Sequence, residues 1–75
     1  MIRSHLGRLL GERRMRIADL ARETGIPRKS LTLLYRDEAA RIDVVTIDKL
    51  CAFFGCKVGE LLEYMPGDDD ASKLT

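Results

Sequence analysis

Two stretches with helical apolar spacing, roughly residues 17–24 and 27–36, are joined by only two or three residues, one of them Gly25. No other feature restricts this chain as strongly. A connection that short does not lay two helices antiparallel along their full length; it makes them cross steeply. Ile17, Leu20, Ala21 and Thr24 share one face of the first stretch at about 100° per residue. Gly25 accepts the left-handed conformation in which helices end. Pro27 sits where the next helix begins, where a missing N–H costs nothing. Ala21 is small where the axes approach, and Leu20, Ile26, Leu31 and Leu34 fill the joint.

The remaining apolar residues add helices around this pair. Ile2, Leu6, Leu9 and Leu10 predict a first helix over residues 2–13. Residues 37–43 have no apolar period and read as a loop. Ile47, Leu50, Cys51 and Phe54 predict a fourth helix ended by Gly55, and Val58, Leu61 and Leu62 a short fifth. Apart from a weak patch at 42–45, nothing alternates with period two. The expected class is therefore all-α: a compact five-helix domain over residues 1–66. Pro66 and Gly67, followed by Asp68, Asp69 and Asp70, mark its end, with residues 67–75 expected as a disordered polar tail.

Seventy-five residues make one domain, and 45% hydrophobic with 33% charged residues is an ordinary globular balance. Apolar runs of three or four residues are too short to span a membrane. The arginine-interrupted beginning is not a secretory signal. A cytoplasmic protein with reduced thiols is the expectation. His5 is the only histidine, and Cys51 and Cys56 are five residues apart, short of the four ligands zinc takes. Both cysteines fall at inward positions and read as small core hydrophobes. No nucleophile–base set, carboxylate pair with an electrophile partner or phosphate-binding glycine loop appears, so no enzymatic activity, metal or cofactor is expected. Gly7 and Gly11 read either as a close approach to a neighbouring helix or as surface.

The net charge of +1 hides an asymmetry. Residues 1–41 carry ten Lys/Arg against five Asp/Glu, while residues 42–67 carry two against four. This suits a polyanionic partner for one face, or simply an arginine-rich solvated surface. The third helix sharpens the question. With Arg28 at zero on a helical wheel, Ser30, Leu31 and Leu34 fall on one side. Arg28, Lys29, Thr32, Leu33 and Arg36 fall within an arc of about 140° on the other, with no acid before Asp37. Arginine and lysine pair with guanine edges and phosphates, and threonine donates, accepts or touches a thymine methyl. Outward Leu33 has three readings: thymine-methyl contact, a partner interface, or cover by the following loop. Arg8, Arg13, Arg14 and Arg22 lie outside the apolar stripes. They serve either solubility and i,i+4 pairing, such as Glu12 with Arg16, or phosphate contact.

Residues 17–34 resemble the helix-turn-helix of the phage repressor and Cro (Xre-type) DNA-binding family, and residues 47–62 resemble its fourth and fifth helices. The resemblance covers residues 2–64. It implies a repressor-like fold whose helix 3 enters the major groove of double-stranded DNA, a transcriptional regulator, and a two-fold homodimer. The chain departs from the family at four places. It has Ile17 where a glutamine often opens helix 2. It has Leu10 and Tyr35 where many members pair an arginine with a glutamate. Tyr35, Arg36 and Asp37 replace Glu-Asn-Gly, and the loop to helix 4 is about two residues longer. Leu10 and Tyr35 are expected to pack together, tying helix 1 to the end of helix 3.

The expected DNA contacts are Arg16, Arg28, Lys29, Thr32, Leu33, Arg36 and Arg41, with Arg16 helped by the free N–H groups at the start of helix 2. A single short helix covers few base edges, which favours pairing two copies. Phe53, Val58, Leu62, Tyr64 and Met65 are the expected dimer contacts, unless they complete the core. No small-molecule effector is expected. Two alternatives stay open: a helical protein-interaction module such as an antitoxin, and a domain that keeps this fold but has lost DNA binding.

Overall fold

The computed structural model describes residues 1–66. The tail expected over residues 67–75 lies outside the described residues. The element order is β1 (Ile2–Ser4), α1 (Leu6–Arg13), α2 (Ile17–Thr24), α3 (Arg28–Tyr35), α4 (Val44–Phe54), α5 (Val58–Leu61) and β2 (Leu62–Tyr64). Five helices stand where the apolar spacing places them, but the all-α expectation needs correction. Residues 2–4 open a strand rather than a helix, and α1 starts at Leu6. β1 pairs antiparallel with β2 in the register Ile2↔Tyr64, Arg3↔Glu63 and Ser4↔Leu62. Leu62 therefore leaves the fifth helix for this ribbon.

The ribbon is held at both ends. Met1 and Met65 exchange hydrogen bonds at 3.0 and 2.8 Å, and the His5 N–H donates to the Leu61 carbonyl at 2.8 Å. The Ser4 N–H donates to Asp37 just beyond α3 (2.7 Å), and the Ser4 hydroxyl accepts from the Leu6 N–H at the start of α1. His5 Nε2 lies 2.7 Å from Glu63. This histidine is thus a structural link between the start of α1 and β2.

The core gathers Leu6, Leu9, Leu10, Leu20, Ile26, Leu31, Leu34, Leu50, Phe54 and Leu61, and no polar side chain is buried among the described residues. All four joint residues read from the sequence are in it. Gly25 closes α2 with φ 76° and Gly55 closes α4 with φ 64°, as their positions require. Asp43 caps α4 by accepting from the Thr46 N–H at 3.1 Å. The Thr46 side chain, and then this bond from its N–H, hold the Asp43 carboxyl below its ordinary value. Asp37 takes φ 59° where the family pattern has glycine, a conformation aspartate tolerates better than most residues.

Cys51 and Cys56 are both free thiols packed half-buried against the core. The Cys56 N–H donates to the Cys51 carbonyl at 3.1 Å across Gly55, a helix-ending motif that brings the two side chains together. Burial, then the Cys51 neighbour, pushes the Cys56 thiol up. Arg13 is structural. Its guanidinium lies 5.2–5.3 Å from the Phe53 and Phe54 ring centres and donates to the Phe54 carbonyl at the end of α4. Glu12 pairs with Arg8 (3.4 Å) on its own helix rather than with Arg16.

Candidate nucleic-acid interface

The site is built by α3 and what flanks it. Leu31 and Leu34 anchor α3 in the core, so the opposite arc must face outward. Arg28, Lys29 and Arg36 are exposed and Thr32 is half-exposed. The Thr32 hydroxyl donates to the Arg28 carbonyl at 3.0 Å, leaving its lone pairs and methyl group outward. Arg28, Lys29 and Arg36 form no ion pair among the described residues, and α3 itself carries no acid. Ser30, expected on the inward side, is exposed instead.

Toward α4, Leu33 is half-buried and lines a cleft of about 270 Å³ with Ser30, Ala39, Arg41, Ile42 and Thr46. Of its three readings, the structure therefore gives Leu33 partial cover by the loop. Arg41 is exposed on the rim of this cleft.

Toward α1 and α2, a second cleft of about 480 Å³ is bordered by Arg16, Arg28 and Tyr35 and floored by Leu10 and Ile17. Tyr35 is half-exposed, and the part of it turned inward meets Gly7 rather than packing on Leu10. Its ring edge lies along α1 at Gly7, and a Cβ built on Gly7 would sit 3.1 Å from it. Tyr35 and Leu10 line the same cleft, and Gly7 is what lets the ring approach. Gly11 has open space beside it. The absence of a side chain at Gly7 was visible in the sequence, but nothing there coupled it to Tyr35.

Arg16 occupies the residue before α2, with its side chain exposed. Its N–H is already taken by the Asp19 carboxylate at 3.1 Å. That bond, and then the Arg22 guanidinium at 3.0 Å, holds the Asp19 carboxyl below its ordinary value. The start of α2 thus has its own anion, which weakens the expectation that free N–H groups assist Arg16 there.

The expected dimer contacts separate into two groups. Phe53 and Leu62 are half-buried against the core, and Phe53 meets Phe54 edge to face with centroids 5.2 Å apart. Met65 is also half-buried, while Val58 (52%) and Tyr64 (64%) are exposed. Two residues missed by the sequence reading join Val58. Val44 is 78% exposed and Val45 60%, and with Ile47 and Cys51 they line one mainly apolar depression between α4 and α5, to which Asp48 adds a single carboxylate. Their position at the first turn of α4, on its outward side, is hard to read from apolar spacing alone. No group of three or more metal-ligating residues occurs among the described residues, and no helix there is long and apolar enough to cross a membrane.

Two helices crossing at a glycine turn, with the second presenting an unpaired basic face, define a helix-turn-helix domain. Residues 5–67 match the Cro/C1-type HTH DNA-binding domain, and the chain belongs to that family. It is also similar to an uncharacterized HTH-type transcriptional regulator, YozG, of Bacillus subtilis (strain 168). The two are 30% identical over 61 residues, covering 81% of this chain and 73% of the relative.

Proposed function

We propose that this protein is a cytoplasmic transcriptional regulator that binds specific sites in double-stranded DNA through α3. One observation carries the reading: Arg28, Lys29, Thr32 and Arg36 share an outward face free of acids on a helix whose other side is locked into the core. Lys29, Thr32 and Arg36 lie at the middle of that face and read base edges. Arg16 and Arg41 flank it and contact phosphates. The regulatory role of the YozG relative, as its name gives it, supports the same reading.

The unit on DNA is a homodimer, since one short helix discriminates few base pairs and two copies double the contacts. Val44, Val45, Ile47 and Val58 form its centre, displacing Phe53 and Leu62, which the core already uses. An exposed, mainly apolar patch on a chain this small suits a two-fold contact.

Titration of the protein against mixed genomic DNA at two salt concentrations tests the reading. Phosphate contacts make the affinity fall steeply as salt rises. Binding that is absent at both concentrations would favour the protein-interaction alternative. Sedimentation with a selected DNA site tests the dimer, which strict one-to-one binding to an asymmetric site would exclude.

A further inference from the structure

The cleft between α1, α2 and α3 has features that base reading does not use. Two guanidinium-bearing residues, Arg16 and Arg28, border it, and no aspartate or glutamate lines it. Tyr35 stands on the same stripe of α3 as Arg28, seven residues and so about 10 Å along the helix. Its ring is 49% exposed, and its hydroxyl has no hydrogen-bond partner among the described residues. The floor, in contrast, is apolar: Leu10, Met15 and Ile17. Ile17 cannot supply the polar contact that a glutamine would make there, and the Asp19 carboxylate, which accepts from the Arg16 N–H, sets a negative charge at the start of α2.

We infer that this cleft seats one sugar–phosphate unit of the DNA backbone, with Tyr35 as its positioning residue. This rests on the DNA-binding reading of α3 and adds to it. A phosphate between Arg28 and Tyr35 receives charge from the guanidinium and a hydrogen bond from the phenol, while the sugar lies on the apolar floor. Gly7 is part of the device, because a methyl group there would press on the ring edge at 3.1 Å and shift it by a few tenths of an ångström. Arg28 then acts on the backbone, and Lys29, Thr32 and Arg36 are left to read sequence. Two basic groups at the border of an acid-free depression are complementary to a polyanion.

Tyr35→Phe keeps the ring on Gly7 and removes only the hydroxyl. On a duplex selected from a random library, this variant is expected to bind about three- to tenfold more weakly, with an unchanged unfolding midpoint. Neutralising one phosphate at a time with methylphosphonate locates the contact. One position should weaken the wild type and have much less effect on Tyr35→Phe. Arg28→Gln should show the same insensitivity at that position and a salt slope smaller by about one. If the wild type binds with a steep salt dependence but Tyr35→Phe matches it at every position, the cleft assignment falls and the reading of α3 stands. Failure of the wild type to bind any duplex overturns both. Perturbation of the Tyr35 ring by low-millimolar inorganic phosphate, without any by duplex, would assign the cleft to a free anion and overturn the backbone seat.

Discussion

The two flanks of α3 are built on opposite principles. Toward α1 and α2, the chain removes bulk: Gly7 lets the Tyr35 ring lie on a helix backbone, and the cleft beside it keeps two basic residues at its border. Toward α4, the chain adds cover: Leu33 is half-buried and shares a cleft with Ala39 and Ile42, and the one basic residue, Arg41, stands on a loop. A group fixed to a helix holds its geometry better than one on a loop. On the proposed function, the difference predicts precise backbone contact at the first flank and looser contact at the second.

The largest effect should come from what both flanks share. Leu31 is fully buried beneath α3, so Leu31→Ala should cost about 2–5 kcal/mol. In a domain this small that approaches the whole folding free energy, and urea unfolding followed by circular dichroism should show little folded protein. A wild-type midpoint would mean that α3 is not anchored as described. On DNA, Arg28→Ala should weaken binding by about 1–3 kcal/mol, and Arg41→Ala by less than about 1 kcal/mol. Equal losses from the two substitutions would erase the distinction between the flanks.

The glycines sharpen the comparison further. Gly11→Ala meets open space and should stabilise α1 by up to about 1 kcal/mol. Gly7→Ala should gain less, because the Tyr35 ring must yield by a few tenths of an ångström. Of the two, Gly7→Ala alone should also reduce DNA affinity. The smallest effect is one of pH. Asp19 and Asp43 have depressed carboxyl values in the folded chain, from the Arg16 N–H and from Thr46 respectively. Their contribution is present above the ordinary value of 3.8 and is lost as pH falls through the lower folded value. Asp43→Asn retains the cap but should flatten part of the acid side of a stability–pH profile. An unchanged acid limb would remove Asp43 from that account.

The joint was legible because its causes are local. Gly25, Ala21 and the Leu20–Ile26–Leu31–Leu34 set lie within fifteen residues and obey one period. The ribbon was not, because β1 and β2 meet across almost the whole described chain and three residues are too few to display alternation. Ile2 fits a helical face by spacing, and only its pairing with Tyr64 explains the strand. The outward arc of α3 was readable from the wheel, while its flanks were not. Leu33 depends on how the loop folds back, and the Tyr35 contact depends on Gly7, twenty-eight residues earlier. Val44 and Val45 escaped notice because a buried face and a sticky exposed one look alike in composition.

Whether α3 reads DNA sequence with the residues at the middle of its outward face is tested most directly by selecting bound duplexes from a random library, in parallel with the wild type and with Lys29→Ala. The wild type should recover a two-fold symmetric site with half-sites about 34 Å apart. Lys29→Ala should recover the same site with the preference relaxed at one base pair in each half. Recovery of no preferred sequence by the wild type, or of an identical preference by the variant, would contradict the account.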